Sequence, residues 1–267
     1  MNSFGEIIRM QFKESIQYKW SFALTLIIYP IMLLITIALF KSIYAYNHTN
    51  LIKGYSLDRM IWYYVAVNFI YNCIWNYTDI RISERILNGN LTVDLLRPVS
   101  LFKFEFARAI ATRITAVICE FIPGLFLFSL IYYPGFLTVA SFAKFSIMVI
   151  MAFILYYLFN FILGLAAFLT KNNTSIVAIR MAFVNITGGA LIPLEFYPGW
   201  LNRILDFLPF KYIFYWPVQF FLNRESTRNL EVLLHIFGLQ LVWALILYLL
   251  CKFLWGKVVK QFCAAGG

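Results

Sequence analysis

Six long apolar segments occupy most of this 267-residue chain, and they constrain its fold more than any short motif does. They cover residues 20–40, 61–80, 114–133, 145–170, 174–192 and 232–251. A helix needs about 20 apolar residues to cross the hydrocarbon core of a bilayer, and several of these segments reach that length. Hydrophobic residues make up 62% of the chain and charged residues only 13%, which excludes an ordinary soluble domain. We therefore predict an all-α polytopic membrane protein with six transmembrane helices.

The distribution of Lys and Arg predicts the orientation in the membrane. An even number of spans puts both termini on one side. The larger share of the 22 Lys and Arg residues falls in the N-terminal segment, in the loop after the second span, beside the fifth span and at the C-terminus. Loops rich in Lys and Arg favour the cytoplasmic side, so we expect both termini to be cytoplasmic. The net charge of +10 does not predict a nucleic-acid partner, because the cations lie at helix ends and form no single patch.

Residues 1–19 are expected to form a separate segment ahead of the transmembrane domain, which we assign to residues 20–267. Apolar residues recur at every fourth position, namely Phe4, Ile8, Phe12, Ile16 and Trp20. Polar and charged residues occupy the other faces, a pattern typical of an amphipathic helix that lies on a membrane surface. A plain extension of the first transmembrane helix is the alternative.

The loop between the second and third spans contains the signal for a short helix. Asn88 and Gly89 are expected to end the preceding helix, and Asn90 can cap a new turn. The Arg97-Pro98 step ends that turn, because a residue before proline disfavours the α region. The leucines of this helix share one face. So short a helix is marginal in isolation, so we expect a cytoplasmic partner to press on it.

The segment between the fifth and sixth spans is more apolar than a solvated loop. Between residues 200 and 208, one helical face carries Trp200, Leu201, Ile204, Leu205 and Leu208. A helix of this kind sits at the membrane interface or dips into it. We therefore expect outer, re-entrant helices between spans five and six.

Glu120 and Arg180 are charged side chains that lie well inside predicted spans. Glu120 is in the third span and Arg180 in the fifth. Ionisable groups in a membrane are costly and normally face the interior of the bundle or pair with each other. One hypothesis is a contact between Glu120 and Arg180 near the inner mouth of a transport pathway. The alternative is that Arg180 extends to the headgroups while Glu120 bonds a neighbouring helix.

The sequence offers no set of residues for covalent or metal chemistry. Its two histidines are not paired as metal ligands, its four cysteines lack CxxC spacing, and no nucleophile motif is present. A phosphate-binding loop of the GxxxxGK[ST] type is also missing. We therefore predict that the chain is not an enzyme, and that any ATP-driven work is done by a different polypeptide.

Two stretches of sequence resemble motifs of a bacterial subfamily of ABC-2 type transporter permeases. Residues 86–98 read ILNGNLTVDLLRP, which is similar to the G-x-L…L-L-R-P loop of that subfamily. Residues 188–201 read GGALIPLEFYPGWL and precede Leu208-Pro209-Phe210, which is similar to its G…I-P-L…F-P-x-W-L…L-P-F stretch. Both stretches stand in the expected order relative to the spans, and the resemblance covers nearly the whole chain.

The resemblance implies a permease with the type V exporter fold and without an ATPase of its own. Two permeases, identical or related, would pair in the membrane and engage two cytoplasmic ATP-binding subunits, which would hold the ATP and magnesium. Such systems export amphipathic or hydrophobic compounds, including drugs, peptide antibiotics, lipids and glycans. The expected location is therefore a bacterial plasma membrane, with no cofactor bound by this chain.

Two functional segments also follow from the resemblance. The first is a coupling helix that seats in a cleft of the ATPase, with the residues Asn90, Leu91, Asp94, Leu95, Leu96, Arg97 and Pro98. The second is an extracellular gate, with the residues Pro193, Glu195, Phe196, Pro198 and Trp200. A different class of function stays open: a membrane-embedded immunity or assembly factor, or a lipid-modifying enzyme, with no ATPase partner. That class would leave both segments without a purpose.

Overall fold

The computed structural model describes residues 5–6, 9–10, 12–13, 19–90, 100–170 and 174–265, and helices make up most of that part of the chain. The α-helices are α1 (Lys19–Tyr46), α2 (Leu57–Ile74), α3 (Thr78–Leu87), α4 (Leu101–Ala116), α5 (Ile122–Ile131), α6 (Val139–Thr170), α7 (Thr174–Thr187), α8 (Gly199–Asp206), α9 (Tyr215–Phe221) and α10 (Leu230–Ala265). An antiparallel hairpin of β1 (Leu51–Ile52) and β2 (Tyr55–Ser56) joins α1 to α2. Short 3-10 turns cover Leu194–Phe196, Phe210–Tyr212 and Glu225–Thr227.

Three helical stretches of the described residues are long and apolar enough to cross a membrane. They are Leu101–Ile131 with 31 residues, Val139–Ala166 with 28 and Leu230–Lys260 with 31. Two shorter apolar helices, Ile31–Tyr46 and Val177–Thr187, overlap the first and fifth predicted spans. The prediction of an all-helical membrane protein is confirmed. The count of six spans stays a prediction.

In the predicted amphipathic segment, residues 5–6, 9–10 and 12–13 are helical. Phe4, Ile8 and Ile16 lie outside the described residues, so the placement of this segment on a membrane surface also stays a prediction.

The second predicted span is interrupted before its expected end at residue 80. Helix α2 stops at Ile74, and α3 starts only at Thr78. Asn76 explains the interruption, because its amide nitrogen donates to the carbonyl of Ile74 and its amide oxygen accepts from the backbone of Thr78. Asparagine competes with helical hydrogen bonds in this way. Consequently α3 is a separate helix, and its axis need not follow the axis of α2.

A π-helical turn, Val117–Phe121, separates α4 from α5. Pro123 provides the physical reason, because proline has no backbone N–H to donate and its ring collides with the carbonyl four residues earlier. The backbone N–H of Ile122 instead reaches the carbonyl of Val117, five residues back. Such π turns occur frequently at functional sites, and this one contains Glu120.

Helix α6 lies at the centre of the bundle and packs against α2, α3, α9 and α10. Its contact with α3 depends on Gly164. A Cβ atom added at that position would lie 2.8 Å from the Cβ of Ile82 and 3.1 Å from the Cα of Asp79. The absence of a side chain therefore lets the two helices approach backbone to backbone.

Candidate functional site

A buried ion pair joins α3 to α7. The guanidinium of Arg180 lies 3.0 Å from a carboxylate oxygen of Asp79, and the two side chains are 0% and 1% exposed. The burial of Arg180 argues against a side chain that extends to the headgroups, and its ion-pair partner is Asp79, a residue that neither alternative named. The interruption at Asn76 starts α3 just before Asp79, which places this carboxylate in the first turn of α3, within reach of the long Arg180 side chain.

Neutral groups complete the environment of Arg180. Nη1 of Arg180 donates to the amide oxygen of Asn160 at 2.9 Å, and the amide nitrogen of Asn160 donates to the amide oxygen of Asn76 at 3.0 Å. The rings of Trp75 and Tyr156 face the guanidinium at 5.6 Å and 5.7 Å. We call Asn76, Asp79, Asn160 and Arg180 the Asp79 cluster. It ties together α3, α6, α7 and the interruption after α2.

A second buried carboxylate joins α3 to α4. Glu105 is fully buried, and its oxygens lie 2.7 Å from Nε of Arg81 and 3.1 Å from Nη2 of Arg85. The two arginines are four residues apart and therefore share a face of α3. In the sequence they belong to the Lys and Arg excess that indicates the orientation in the membrane. Here they also fix the end of one helix to the start of the next.

The segment predicted as the coupling helix lies between these two bonded helices. Asn90 is exposed in the turn that follows α3, and α4 begins at Leu101 with Ser100 as its cap. The remaining predicted coupling residues, Leu91, Asp94, Leu95, Leu96, Arg97 and Pro98, lie outside the described residues. The structure therefore describes the attachment of this segment on both sides, and its internal conformation stays a prediction.

A cleft of about 500 Å³ opens beside the Asp79 cluster. It is lined by α2, α4, the π turn and α7, with the residues Asn68, Tyr71, Asn72, Trp75, Tyr77, Arg113, Glu120, Met181 and Asn185. The lining is half polar and half aromatic or apolar, which suits an amphipathic ligand. Glu120 thus belongs to the cleft, and Trp75 belongs to both the cleft and the surroundings of Arg180.

At another place in the fold, the carboxylate of Glu195 accepts hydrogen bonds from hydroxyl groups on separate elements. One of its carboxylate oxygens accepts from the hydroxyl of Tyr55 at 3.0 Å and from that of Tyr215 at 2.9 Å. Gln219 donates to the Tyr55 hydroxyl at 2.7 Å. Burial, and then the negative charge of Glu195, raise the pKa of the Tyr55 hydroxyl above its usual range, so this hydroxyl stays protonated at neutral pH.

Arg224 completes this group, which we call the Glu195 cluster and define as Tyr55, Glu195, Tyr215, Gln219 and Arg224. The guanidinium lies 4.2 Å from the centre of the Tyr55 ring, donates to the carbonyl of Gly54 at 2.6 Å and stands 3.9 Å from Glu195. The cluster therefore holds the β hairpin against the turn at residues 194–196 and against α9.

The other predicted gate residues surround this cluster without joining it. Pro193 precedes the 3-10 turn that contains Glu195 and Phe196, and Pro198 precedes α8. Phe196 packs partly buried against the core, whereas Trp200 is largely exposed on α8. Of the predicted gate residues, only Glu195 is thus bonded into a polar network among the described residues.

Sequence reasoning missed Asp79, Glu105 and Tyr55. A signal existed for Asp79, which is an acid within the second predicted span. For Glu105 the signal was an acid in a loop whose neighbouring helix carries two arginines on one face. Tyr55 carried no signal of its own, because its partners come from distant parts of the chain.

Comparison with known protein families gives a match over most of the chain. A family model described as "ABC-2 family transporter protein" matches residues 20–266. No curated protein matches the chain at a significant level.

Proposed function

The chain belongs to the ABC-2 transporter family, whose members are membrane permeases of ABC transporters, and we propose that it exports an amphipathic or hydrophobic compound, driven by separate ATP-binding subunits. Drugs, peptide antibiotics, lipids and glycans are the substrate classes. The active unit would contain two permeases, identical or related, and two ATPases that bind the ATP and magnesium. Its location would be a bacterial plasma membrane.

The proposed topology has six spans, with both termini in the cytoplasm and re-entrant helices on the outer side. In this arrangement the turn at Asn90 faces the cytoplasm, and the Glu195 cluster lies at the outer end. The excess of Lys and Arg in the loop after the second predicted span supports this orientation.

The observation that carries the proposal is the attachment of the predicted coupling segment. The segment leaves α3 at Leu87 and re-enters the fold at Leu101, and the buried Glu105 bonds the two flanking helices. A push by an ATPase on residues 90–98 would therefore move α3 and α4 together. Short rigid helices joined in this way can transmit a displacement into the membrane.

The cleft beside the Asp79 cluster is the proposed wall of the transport pathway. Its carboxylate and amides could bind the polar part of a substrate, and its rings the apolar part. Transport needs no covalent step by this chain, because binding and release follow from a shift between two conformations. At the outer end, the Glu195 cluster and the residues around Pro193 would form the gate.

Purification of the native complex tests the proposal. The permease is tagged, extracted under conditions that preserve known membrane complexes, and its partners are identified. We expect an ATP-binding subunit in stoichiometric amount. Recovery of the permease without such a subunit would contradict the proposal and favour an immunity or assembly factor, or a lipid-modifying enzyme.

Two substitutions in the coupling segment sharpen this test. Asp94→Lys reverses a charge, and Leu95→Asp puts a charge on the apolar face. We expect both variants to insert in the membrane but to abolish transport, because the contact with the ATPase is lost. Asp206→Lys is the matched control, since it makes the same charge change at an exposed position on α8. Unchanged transport by both coupling variants would overturn the assignment of this segment.

A further inference from the structure

We propose that the Asp79–Arg180 pair is a positioning pair that passes the movement of α3 to α7 and so opens or closes the cleft. The proposal rests on the proposed function, because the movement has to come from an ATPase. It assigns to two buried residues outside the coupling segment and outside the gate a specific role in the transport cycle.

Asp79 and the coupling segment lie at opposite ends of the short helix α3. Asp79 lies in the first turn of α3, and the coupling segment follows the last turn. The helix between them is only about 12 Å long, and its hydrogen-bonded backbone transmits a shift with little bending. A displacement at Asn90 therefore reaches Asp79.

Helix α3 packs closely on α6 at a small residue. Gly164 presents backbone to Ile82 and Asp79, and the hydroxyl of Ser83 on α3 donates to the carbonyl of Gly164 at 3.5 Å. The long α6 helix packs against four other helices and serves as the fixed support. Movement of α3 along this support is a shear of packed helices, a common form of conformational change.

Arg180 has two partners, which lie on different helices. One is Asp79 on the mobile α3, and the other is Asn160 on the fixed α6. When α3 moves, the guanidinium can either follow the carboxylate or stay with the amide. Such a choice between two buried partners is a two-state element.

The consequence appears on the other face of α7. Met181 follows Arg180 directly, Asn185 lies about one turn further on, and both line the cleft. A shift of Arg180 with Asp79 therefore moves one wall of the cleft. Trp75 adds a second route, because its ring faces the guanidinium and also lines the cleft.

The competing explanation is that the Asp79–Arg180 pair only stabilises the fold. The energetics of buried ion pairs allow an experiment to distinguish this explanation from the positioning role. Replacing both members of a buried ion pair by apolar residues is often neutral for stability, or even stabilising. The variant Asp79→Leu/Arg180→Met should therefore fold and assemble. If the pair only holds the bundle together, this variant keeps the coupling between ATPase and cleft. If the pair passes movement, the coupling is lost.

The experiment uses the permease with its ATP-binding subunit in lipid nanodiscs. The four native cysteines are replaced by alanine, and Met181→Cys provides a reporter in the cleft. The rate at which a thiol reagent labels this reporter is compared without nucleotide and with ATP plus vanadate. In the otherwise unchanged protein we expect the rate to change on trapping. In Asp79→Leu/Arg180→Met we expect ATP hydrolysis to continue, while the nucleotide effect on labelling falls by about fivefold or more, as the loss of a typical coupling between sites predicts.

Gln240→Met is the matched control. Gln240 is a buried polar residue of α10 that donates to the carbonyls of Met148 and Tyr212, and none of these three residues belongs to α3 or α7. Its replacement removes buried hydrogen bonds of a comparable kind, and the nucleotide effect on labelling of the reporter at position 181 should survive.

Asp79→Asn is the milder second variant, because it keeps the size of the side chain and removes only the charge. Full nucleotide response in either Asp79 variant would overturn the positioning role. If purification of the unaltered permease recovers no ATPase, the proposed function fails instead, so the two failures are distinguishable.

Discussion

The Asp79 and Glu195 clusters both place a carboxylate beside an arginine, but they bury the charges to different extents. Arg180 and Asp79 are 0% and 1% exposed and 3.0 Å apart. Arg224 and Glu195 are 17% and 26% exposed and 3.9 Å apart. The first cluster lies between helices, whereas the second joins a hairpin, a turn and a short helix.

This difference separates two ways of holding a membrane bundle. In the Asp79 cluster, the charges of Asp79 and Arg180 neutralise each other through one contact. The loss of either side chain therefore leaves the other charge buried without a partner. In the Glu195 cluster the carboxylate is shared among two tyrosines and an arginine near solvent, so each single contact contributes less. The Asp79 cluster is therefore suited to switching between two states, and the Glu195 cluster is suited to holding the hairpin, the turn and α9 in a fixed arrangement.

The largest effect is expected for a variant that leaves one charge of the buried pair alone. Asp79→Ala should lower the free energy of unfolding by about 3–5 kcal/mol, because Arg180 stays buried without its partner. Thermal unfolding in detergent, followed by size-exclusion chromatography, measures the loss. The double variant Asp79→Leu/Arg180→Met should recover most of it. A double variant as unstable as the single one would contradict this energetic account.

The close approach of α3 and α6 should give the next largest effect. Gly164→Val adds a side chain where even a Cβ atom would meet Ile82, and we expect a loss of about 1–3 kcal/mol from overpacking. Gly238→Val in α10 is the matched control, because nothing lies within 4 Å of a Cβ atom added there. Equal melting temperatures of the two variants would show that the helices do not meet as described.

Within the Glu195 cluster a neutral substitution should cost less. Glu195→Gln keeps an acceptor for the hydroxyls of Tyr55 and Tyr215 but removes the negative charge, and we expect a loss of about 1 kcal/mol. Two measurements test this expectation. The melting temperature gives the loss of stability, and limited proteolysis of the loop that contains the β hairpin shows whether the hairpin is still held in place. A loss as large as that of Asp79→Ala would mean that the two clusters do not differ in the way proposed.

The smallest effect is expected for an exposed ion pair. Lys211 lies 2.6 Å from Asp206, whose side chain is 64% exposed. Lys211→Ala should cost about 0.2–1 kcal/mol, because solvent screens the attraction. The same melting assay gives the comparison, and a larger loss than for Glu195→Gln would reverse the predicted order.

The class of fold was predictable because hydrophobicity over about 20 residues is a local property of the sequence. The long helices ending at Ile131 and Thr170 follow from it. Asn76 shows the limit of such reasoning, since a single side chain interrupts an otherwise apolar run.

The partners of charged residues were the least predictable part of the site. The sequence left two alternatives for Arg180, a contact with Glu120 or an extension to the headgroups, and the structure pairs it with Asp79 in the first turn of α3. The arginine partners of Glu105 lie on a different helix, so the pattern around Glu105 did not identify them. Such contacts depend on helix crossings, and the pattern of one helix does not encode where it crosses another.

Site-specific photo-crosslinking in living cells tests most directly the claim that this permease is driven through the segment between α3 and α4. A photoreactive phenylalanine derivative is placed at position 94, in place of Asp94, and in a second strain at position 200, in place of Trp200. We predict that the residue at position 94 captures an ATP-binding subunit and that the residue at position 200 does not. Capture of no ATPase from position 94, or equal capture from both positions, would contradict the account.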